Sequence, residues 1–87
     1  MGSFEVIFKR SVAKDLRQIP KKDVAKILKR IEALRAEPRP PSVEKLSGQE
    51  KYRIRQGVYR ILYEIQKDEL IVVVVKIGHR RDVYRIS

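Results

Sequence analysis

The residues with the clearest chemical potential in this 87-residue chain are arginines placed at strand spacing. Arg53, Arg55 and Arg60 lie within residues 51–64. A second basic group follows, and it consists of His79, Arg80, Arg81, Tyr84 and Arg85. A guanidinium group matches phosphate oxygens bidentately, and a tyrosine ring can stack on a base or pass a proton through its hydroxyl. These residue types predict a site for a phosphate group.

One reaction suits a basic site without metal ligands. In RNA the 2′-hydroxyl can attack the adjacent phosphorus, so a protein need only hold the phosphate in line, stabilise the developing charge and manage two protons. One histidine and no cysteine cannot form a nitrogen and sulfur metal site. The glycines are isolated, so there is no phosphate loop, and Ser11 is explained as a helix N-cap. We therefore expect neither a metal nor a cofactor.

The elements that must position the arginines are two short strands joined through Gly57. Alternate side chains of a strand share a face, so Arg53 and Arg55 are predicted to point away from Tyr52 and Ile54. In the second strand Arg60 belongs to one set, while Tyr59, Ile61 and Tyr63 form the other. The pattern predicts a hairpin with three guanidinium groups on one face and tyrosines in the core.

The rest of the chain predicts a single α+β domain over residues 1–87. Residues 4–8 alternate as a strand, residues 11–19 and 21–36 have helical periodicity, and residues 38–48 form a proline-rich linker. The β-branched run at 70–77 predicts a central strand covered on both faces by the helices and ended by Gly78. The predicted fold has two N-terminal helices packed on a small twisted antiparallel sheet, in the order β-α-α-β-β-β, with a further short strand optional at the end.

The formal net charge of +10 is the strongest global signal, and each half of the chain carries half of it. Such a field attracts polyanions, so a nucleic acid or an acidic protein is the expected partner. No run approaches the roughly 18 apolar residues of a membrane span, so no membrane partner is expected. The absence of cysteine suits the cytoplasm, where we expect the protein to act.

Several fragments, in order and spacing, resemble the RelE/ParE superfamily of bacterial type II toxin–antitoxin toxins, and most closely its RelE mRNA-endonuclease branch. The fragments are Lys45-Leu46-Ser47-Gly48, Tyr52-Arg53-Ile54-Arg55, Tyr59-Arg60-Ile61-Leu62-Tyr63-Glu64-Ile65 and Ile77-Gly78-His79-Arg80-Arg81-Asp82-Val83-Tyr84. The resemblance covers nearly the whole chain. It implies a ribosome-dependent, metal-independent endoribonuclease that cuts mRNA in the A site and leaves a 2′,3′-cyclic phosphate.

The resemblance also implies the roles of individual residues. The catalytic residues it implies are Arg53, Arg55, Arg60, Arg80 and Tyr84. The expected RNA contacts are His79, Arg81, Lys51 and Arg85. The best-studied RelE-type toxin has lysines where Arg53 and Arg55 stand, and arginine is a poor general base because it stays protonated. The general base would then be Tyr84, His79, or a group of the ribosome or the RNA.

The resemblance implies partners and leaves alternatives open. The expected partners are the ribosome with its mRNA and a cognate acidic antitoxin, in a toxin–antitoxin hetero-oligomer. The alternative within the superfamily is a ParE-like inhibitor of DNA gyrase without ribonuclease activity. A third possibility is a nucleic-acid-binding module without a toxin activity, for which the positive net charge alone would be sufficient.

Overall fold

The structure is a computed structural model that describes residues 3–46 and 51–79. Within these residues, two helices and five strands follow one another in the predicted order, with one added strand. The strands are β1 (Glu5–Phe8), β2 (Glu44–Leu46), β3 (Lys51–Gln56), β4 (Tyr59–Gln66) and β5 (Ile71–His79). The helices are α1 (Arg10–Arg17) and α2 (Lys21–Glu32), and short 3-10 turns occupy Ala33–Arg35 and Lys67–Glu69.

The five strands form one sheet in the order β1-β5-β4-β3-β2. The pairs β2 with β3, β3 with β4, and β4 with β5 are antiparallel, whereas β1 runs parallel to β5 from the pair Glu5 and Ile71 to the pair Phe8 and Val74. The predicted α+β class and element order are confirmed. The sheet is mixed in one place, because β1 adds to the outer edge of β5 after a long crossover through the rest of the chain.

Both helices cover the same face of the sheet, since their buried residues and those of the strands form a single cluster. Val12 of α1 and Ile27 and Ile31 of α2 are almost fully buried in it. The strands contribute Tyr52, Ile54, Ile61, Tyr63, Ile65, Val72, Val74 and Ile77. We call the opposite side of the sheet the open face, and no described helix packs on it.

Four local predictions were wrong. Helix α1 begins at Arg10, with Lys9 as its N-cap and no capping side chain, so Ser11 lies inside the helix. The predicted linker contains β2, which its few residues did not reveal. Strand β5 continues through Gly78, and its two faces are unequal: Val72 and Val74 are buried, whereas Val73 and Val75 are only half-buried because the helices lie on one side.

The predicted tyrosine packing is confirmed. Tyr52 and Tyr63 are 3% and 0% exposed, and their rings stack with centroids 5.7 Å apart. The Tyr63 hydroxyl donates a hydrogen bond of 2.7 Å to the carbonyl of Pro38, which ties the proline-rich segment to the core. Burial raises the pKa of Tyr63, so its hydroxyl stays protonated and acts as a donor.

Asp15 fastens α1 to β5 beside an irregularity in the sheet. The register between β4 and β5 shifts between Leu62 and Tyr63, which leaves Val75 as the extra residue. Asp15 accepts hydrogen bonds from the Lys76 ammonium at 2.8 Å and from the Ile77 backbone N–H at 3.1 Å.

Neither helix is long and apolar enough to cross a bilayer, within the part of the chain that the structure describes.

Candidate functional site

The side chains of β3 alternate between the two faces of the sheet as predicted. Tyr52 and Ile54 enter the core, so Lys51, Arg53 and Arg55 point to the open face. Residues two apart on one strand lie about 7 Å from each other, which places the three cations in a row. Together with Arg60 of β4, whose position is described next, Arg53 and Arg55 form a group that we call the arginine cluster.

The pairing of β3 with β4 brings Arg60 into this cluster. Arg55 is directly opposite Arg60, Arg53 is opposite Leu62, and Lys51 is opposite Glu64. Directly paired residues share a face and have Cβ atoms about 5 Å apart, and like charges in that position destabilise a sheet. The fold therefore concentrates positive charge here at a cost to its stability, which is typical of a site that binds an anion.

The cations of the open face differ in exposure. Arg60 is 5% exposed, whereas the Arg53 side chain is 13% exposed and the Arg55 side chain 61%. Lys51 is also exposed, and its ammonium lies 4.0 Å from the Glu64 carboxylate, which gives a weak, solvated ion pair. Arg55 is thus the member of the cluster most open to a ligand, with Arg53 and Arg60 held beneath it.

A carboxylate that the sequence reasoning did not include also lies in the cluster. Glu44 of β2 is paired with Arg53 across the sheet. Its Oε2 atom accepts a hydrogen bond of 3.1 Å from Arg53, and its Oε1 atom lies 3.7 Å from the Arg55 guanidinium. Its segment was predicted as a linker, and residues 43–46 read apolar, polar, polar, apolar, so no alternation indicated a strand there.

The arginines hold Glu44 in its ionised form. The hydrogen bond and the charge of Arg53 lower the pKa of Glu44 most, against a smaller opposing effect of burial, and the charges of Arg55 and Arg60 lower it further. The positive charges of all three guanidinium groups therefore stabilise the same carboxylate, that of Glu44.

His79 lies on the other face of the sheet from the arginine cluster. It pairs with Tyr59, and the two rings meet edge to face with centroids 6.3 Å apart. The Tyr59 hydroxyl donates to Asp23 of α2 at 3.4 Å, which fixes this pair on the helix side. Burial and, next, the Asp23 carboxylate raise the pKa of Tyr59. The structure thus does not bring His79 together with Arg53, Arg55 and Arg60.

Four predicted site residues, Arg80, Arg81, Tyr84 and Arg85, lie outside the described residues. They follow His79 in the sequence, and their roles stay predictions. Among residues 3–46 and 51–79 there is no group of three or more histidine, cysteine, aspartate or glutamate side chains that could hold a metal ion.

Comparison with known proteins places the chain in a family. Residues 6–84 match the family described as ParE toxin of type II toxin–antitoxin system, parDE. A Methanocaldococcus jannaschii protein named as a RelE1 toxin is 31% identical over 86 residues, which cover 94% of this chain and 96% of the relative. The toxin RelG of Mycobacterium tuberculosis is 30% identical, with 94% and 97% covered.

A solved structure agrees with this assignment. The crystal structure of the archaeal RelE–RelB complex from Pyrococcus horikoshii matches with a TM-score of 0.81 and 28% identity, over 90% of this chain and 96% of the archaeal one. The chain belongs to the ParE toxin family of type II toxin–antitoxin systems. Within the RelE/ParE superfamily it is a toxin of the RelE type, as the sequence predicted.

Proposed function

We propose that this toxin is a ribosome-dependent, metal-independent endoribonuclease that cuts mRNA in the A site and so inhibits translation in the cytoplasm. The observation that carries the proposal is the direct pairing of Arg55 with Arg60 beside Arg53 on the open face. The similarity to RelE-type toxins supports it, and so does the net charge of +10. A basic protein of this size gains its affinity for RNA from phosphate contacts.

The arginine cluster can stabilise the reaction in two ways. Its guanidinium groups can hold two non-bridging phosphate oxygens and keep the phosphorus in line with the attacking 2′-hydroxyl. They can also stabilise the extra negative charge that those oxygens carry in the transition state. Because Arg53 and Arg60 are largely covered, they are held in place before the RNA arrives, so little rearrangement is needed during the reaction.

The arginines do not explain how the protons move. A guanidinium group stays protonated at any working pH, so it cannot take a proton from the 2′-hydroxyl. We propose that Tyr84, or the ribosome and the RNA themselves, supply proton transfer, and that Arg80 assists the phosphate. His79, Arg81, Lys51 and Arg85 remain proposed RNA contacts, of which Lys51 shares the open face with the cluster.

The test uses ribosomes stalled at a defined codon on a labelled mRNA. The purified toxin is expected to cut that mRNA in the A site without added divalent metal beyond what the ribosome needs, and the 5′ fragment should end in a 2′,3′-cyclic phosphate. Arg55→Ala should slow cleavage about 100-fold, as expected for the loss of one donor to a developing oxyanion.

The matched control is Arg17→Ala, which removes the same charge from the exposed end of α1 on the helix side. It should cleave at nearly the rate of the unaltered toxin. Intact message at every codon tested would refute the ribonuclease proposal. Equal cleavage rates for Arg55→Ala and the unaltered toxin would refute the role of the arginine cluster in the reaction.

A second function is worth testing because the matching family is named for ParE. A ParE-like toxin would act on DNA gyrase and would not cleave RNA. Supercoiling reactions with purified gyrase distinguish the two functions. Stalled gyrase–DNA complexes together with intact mRNA would establish the gyrase reading, whereas normal supercoiling with cut mRNA would exclude it.

We further propose a cognate acidic antitoxin as partner, because the solved Pyrococcus structure is a RelE–RelB complex. A basic protein with this net charge would gain from an acidic partner through charge complementarity. The apolar side chains Phe8 and Leu28, about 40% exposed, line a groove together with Leu16 and Arg10. Expression of the tagged toxin in its native cells, followed by purification at rising salt and identification of any acidic protein that stays bound, tests for this hetero-oligomer.

A further inference from the structure

Glu44 occupies the place in the arginine cluster that a phosphate group would take. Its two carboxylate oxygens go to different guanidinium groups, with Oε2 at 3.1 Å from Arg53 and Oε1 at 3.7 Å from Arg55. A phosphodiester also presents two negatively charged oxygens, its non-bridging ones. Like a carboxylate, it can therefore accept hydrogen bonds from two guanidinium groups. The carboxylate and a phosphate therefore compete for the same donors.

The exposure of the three side chains indicates which one would give way when a phosphate arrives. Glu44 lies on the edge strand β2, and its side chain is 43% exposed, so it has solvent on one side into which it can turn. The Arg53 side chain is 13% exposed and Arg60 is 5% exposed, so both are confined by their surroundings. An incoming anion would displace the carboxylate and leave the arginines in place.

We propose that Glu44 is an internal anion that holds Arg53 and Arg55 in position in the free toxin and is displaced by an RNA phosphate. The proposal deepens the proposed function and rests on it in one respect, the use of the arginine cluster as a phosphate site. Glu44 is a positioning residue in this scheme. It offsets the repulsion between Arg55 and Arg60. It also weakens the binding of free anions in solution, which make no contacts outside the arginine cluster.

Displacement has a consequence for selectivity. Every ligand must break the contacts of Glu44 before it gains those of the arginines. A short RNA in solution gains few other contacts, so the loss weighs heavily on its affinity. An mRNA held by the ribosome brings many additional contacts, so the same loss matters less. Glu44 would thereby favour phosphate groups presented by the ribosome over those of free RNA.

The experiment measures binding of a short RNA whose riboses all carry 2′-O-methyl groups, so that cleavage cannot occur. Glu44→Gln keeps the shape of the side chain and removes its charge. Glu69→Gln is the matched control, because Glu69 lies in the exposed turn Lys67–Glu69 and its loss changes the net charge from +10 to +11 in the same way. We expect Glu44→Gln to bind this RNA about two- to fivefold more tightly than Glu69→Gln, the range expected for removal of one competing ion pair.

A second variant and a spectroscopic readout guard against a change in the fold. Glu44→Asp keeps the charge but is one methylene shorter, so it should reach Arg53 less well and bind the RNA with intermediate affinity. Carboxyl carbon resonances report the titration of Glu44 directly. Saturation with the RNA should raise the pKa of Glu44 towards its ordinary value, because the carboxylate leaves the arginines.

Two results would overturn the proposal. The first is equal or weaker RNA binding by Glu44→Gln relative to Glu69→Gln, which would make Glu44 a purely structural partner of Arg53. The second is slower cleavage by Glu44→Gln with unchanged binding, which would assign Glu44 a part in proton transfer. The binding experiment contains no ribosome, so tighter binding by Glu44→Gln together with intact message would refute the ribonuclease proposal and leave the displacement standing.

Discussion

At the scale of single residues, the interaction between Glu44 and the arginines makes stability depend on pH. The folded-state pKa of Glu44 lies below its ordinary value of 4.5. A carboxylate with a lowered pKa contributes stability that is fully present above its unfolded pKa and is lost as pH falls through its folded pKa. The contribution belongs to a half-exposed pair and is therefore small, because solvent screens it.

We predict that Glu44→Gln lowers the free energy of unfolding by a few tenths of a kcal/mol to about 1 kcal/mol at pH 7. The difference from the unaltered toxin should shrink as pH falls below 4.5. Urea unfolding at several pH values measures it, and high salt should reduce it as well. A difference that stayed constant down to pH 2 would contradict the electrostatic origin.

Among residues 3–46 and 51–79, two residues share the left-handed backbone conformation, and they lead to opposite predictions. Leu70 has a φ of 54° and an exposed side chain, whereas Gly57 at the β3–β4 turn has a φ of 60°. An L-residue pays roughly 1–2 kcal/mol in this conformation, and glycine does not. Leu70→Gly should therefore stabilise the toxin by about 0.5–1 kcal/mol.

Gly57→Ala should destabilise the toxin by about 1 kcal/mol. A Cβ atom at Gly57 would meet no other atom within 4 Å, so the effect is one of backbone conformation alone. Thermal unfolding of both variants checks the pair. Stabilisation by Gly57→Ala would show that the turn relaxes to another conformation.

At the scale of elements, the joint between α1 and β5 depends on one carboxylate. Asp15 is 12% exposed and satisfies both the Lys76 ammonium and the Ile77 N–H at the irregular point of the sheet. Asp15→Ala leaves both donors without this acceptor, which costs about 1–3 kcal/mol for each poorly satisfied group. We expect a loss of about 2–4 kcal/mol in the free energy of unfolding.

The matched control for this joint is Asp68→Ala, which removes an acidic side chain from the exposed turn Lys67–Glu69. It should change the free energy of unfolding by less than about 0.5 kcal/mol. Hydrogen exchange adds a local readout, since the Ile77 amide should lose protection in Asp15→Ala. Unchanged protection there would show that another group replaces the carboxylate.

Elements also show which parts of the fold the sequence could predict. The alternation of Tyr52, Arg53, Ile54 and Arg55 is a local pattern, so it predicted the open face and the tyrosine core correctly. The parallel pairing of β1 with β5 joins segments more than 60 residues apart, as in the pair Glu5 and Ile71. The residue pattern within either segment does not indicate which other strand it pairs with. Glu44 was missed for the same reason, because its role comes from its neighbour across the sheet.

At the scale of the whole molecule, the net charge of +10 predicts that the proposed association with RNA depends strongly on salt. Each phosphate neutralised on a single strand contributes about −0.7 to the slope of log affinity against log salt concentration. If the RNA contacts Arg55, Arg55→Ala should make that slope less steep by about 0.7, whereas Arg17→Ala should leave it nearly unchanged. Equal slopes for the two variants would place the RNA elsewhere on the surface.

The mixed sheet also bears on how the toxin is made. Strand β5 pairs with β1 on one side and with β4 on the other, so neither the first strand nor the hairpin has its main partner until residue 79 has been synthesised. Contacts of such wide sequence separation form late, because the intervening chain must first be available to close. A nascent chain that has emerged only through β4 lacks the strand that lies between β1 and β4 in the sheet. Under the proposed function, the ribosome that produces this toxin would therefore not meet a complete fold until translation of the domain is almost finished.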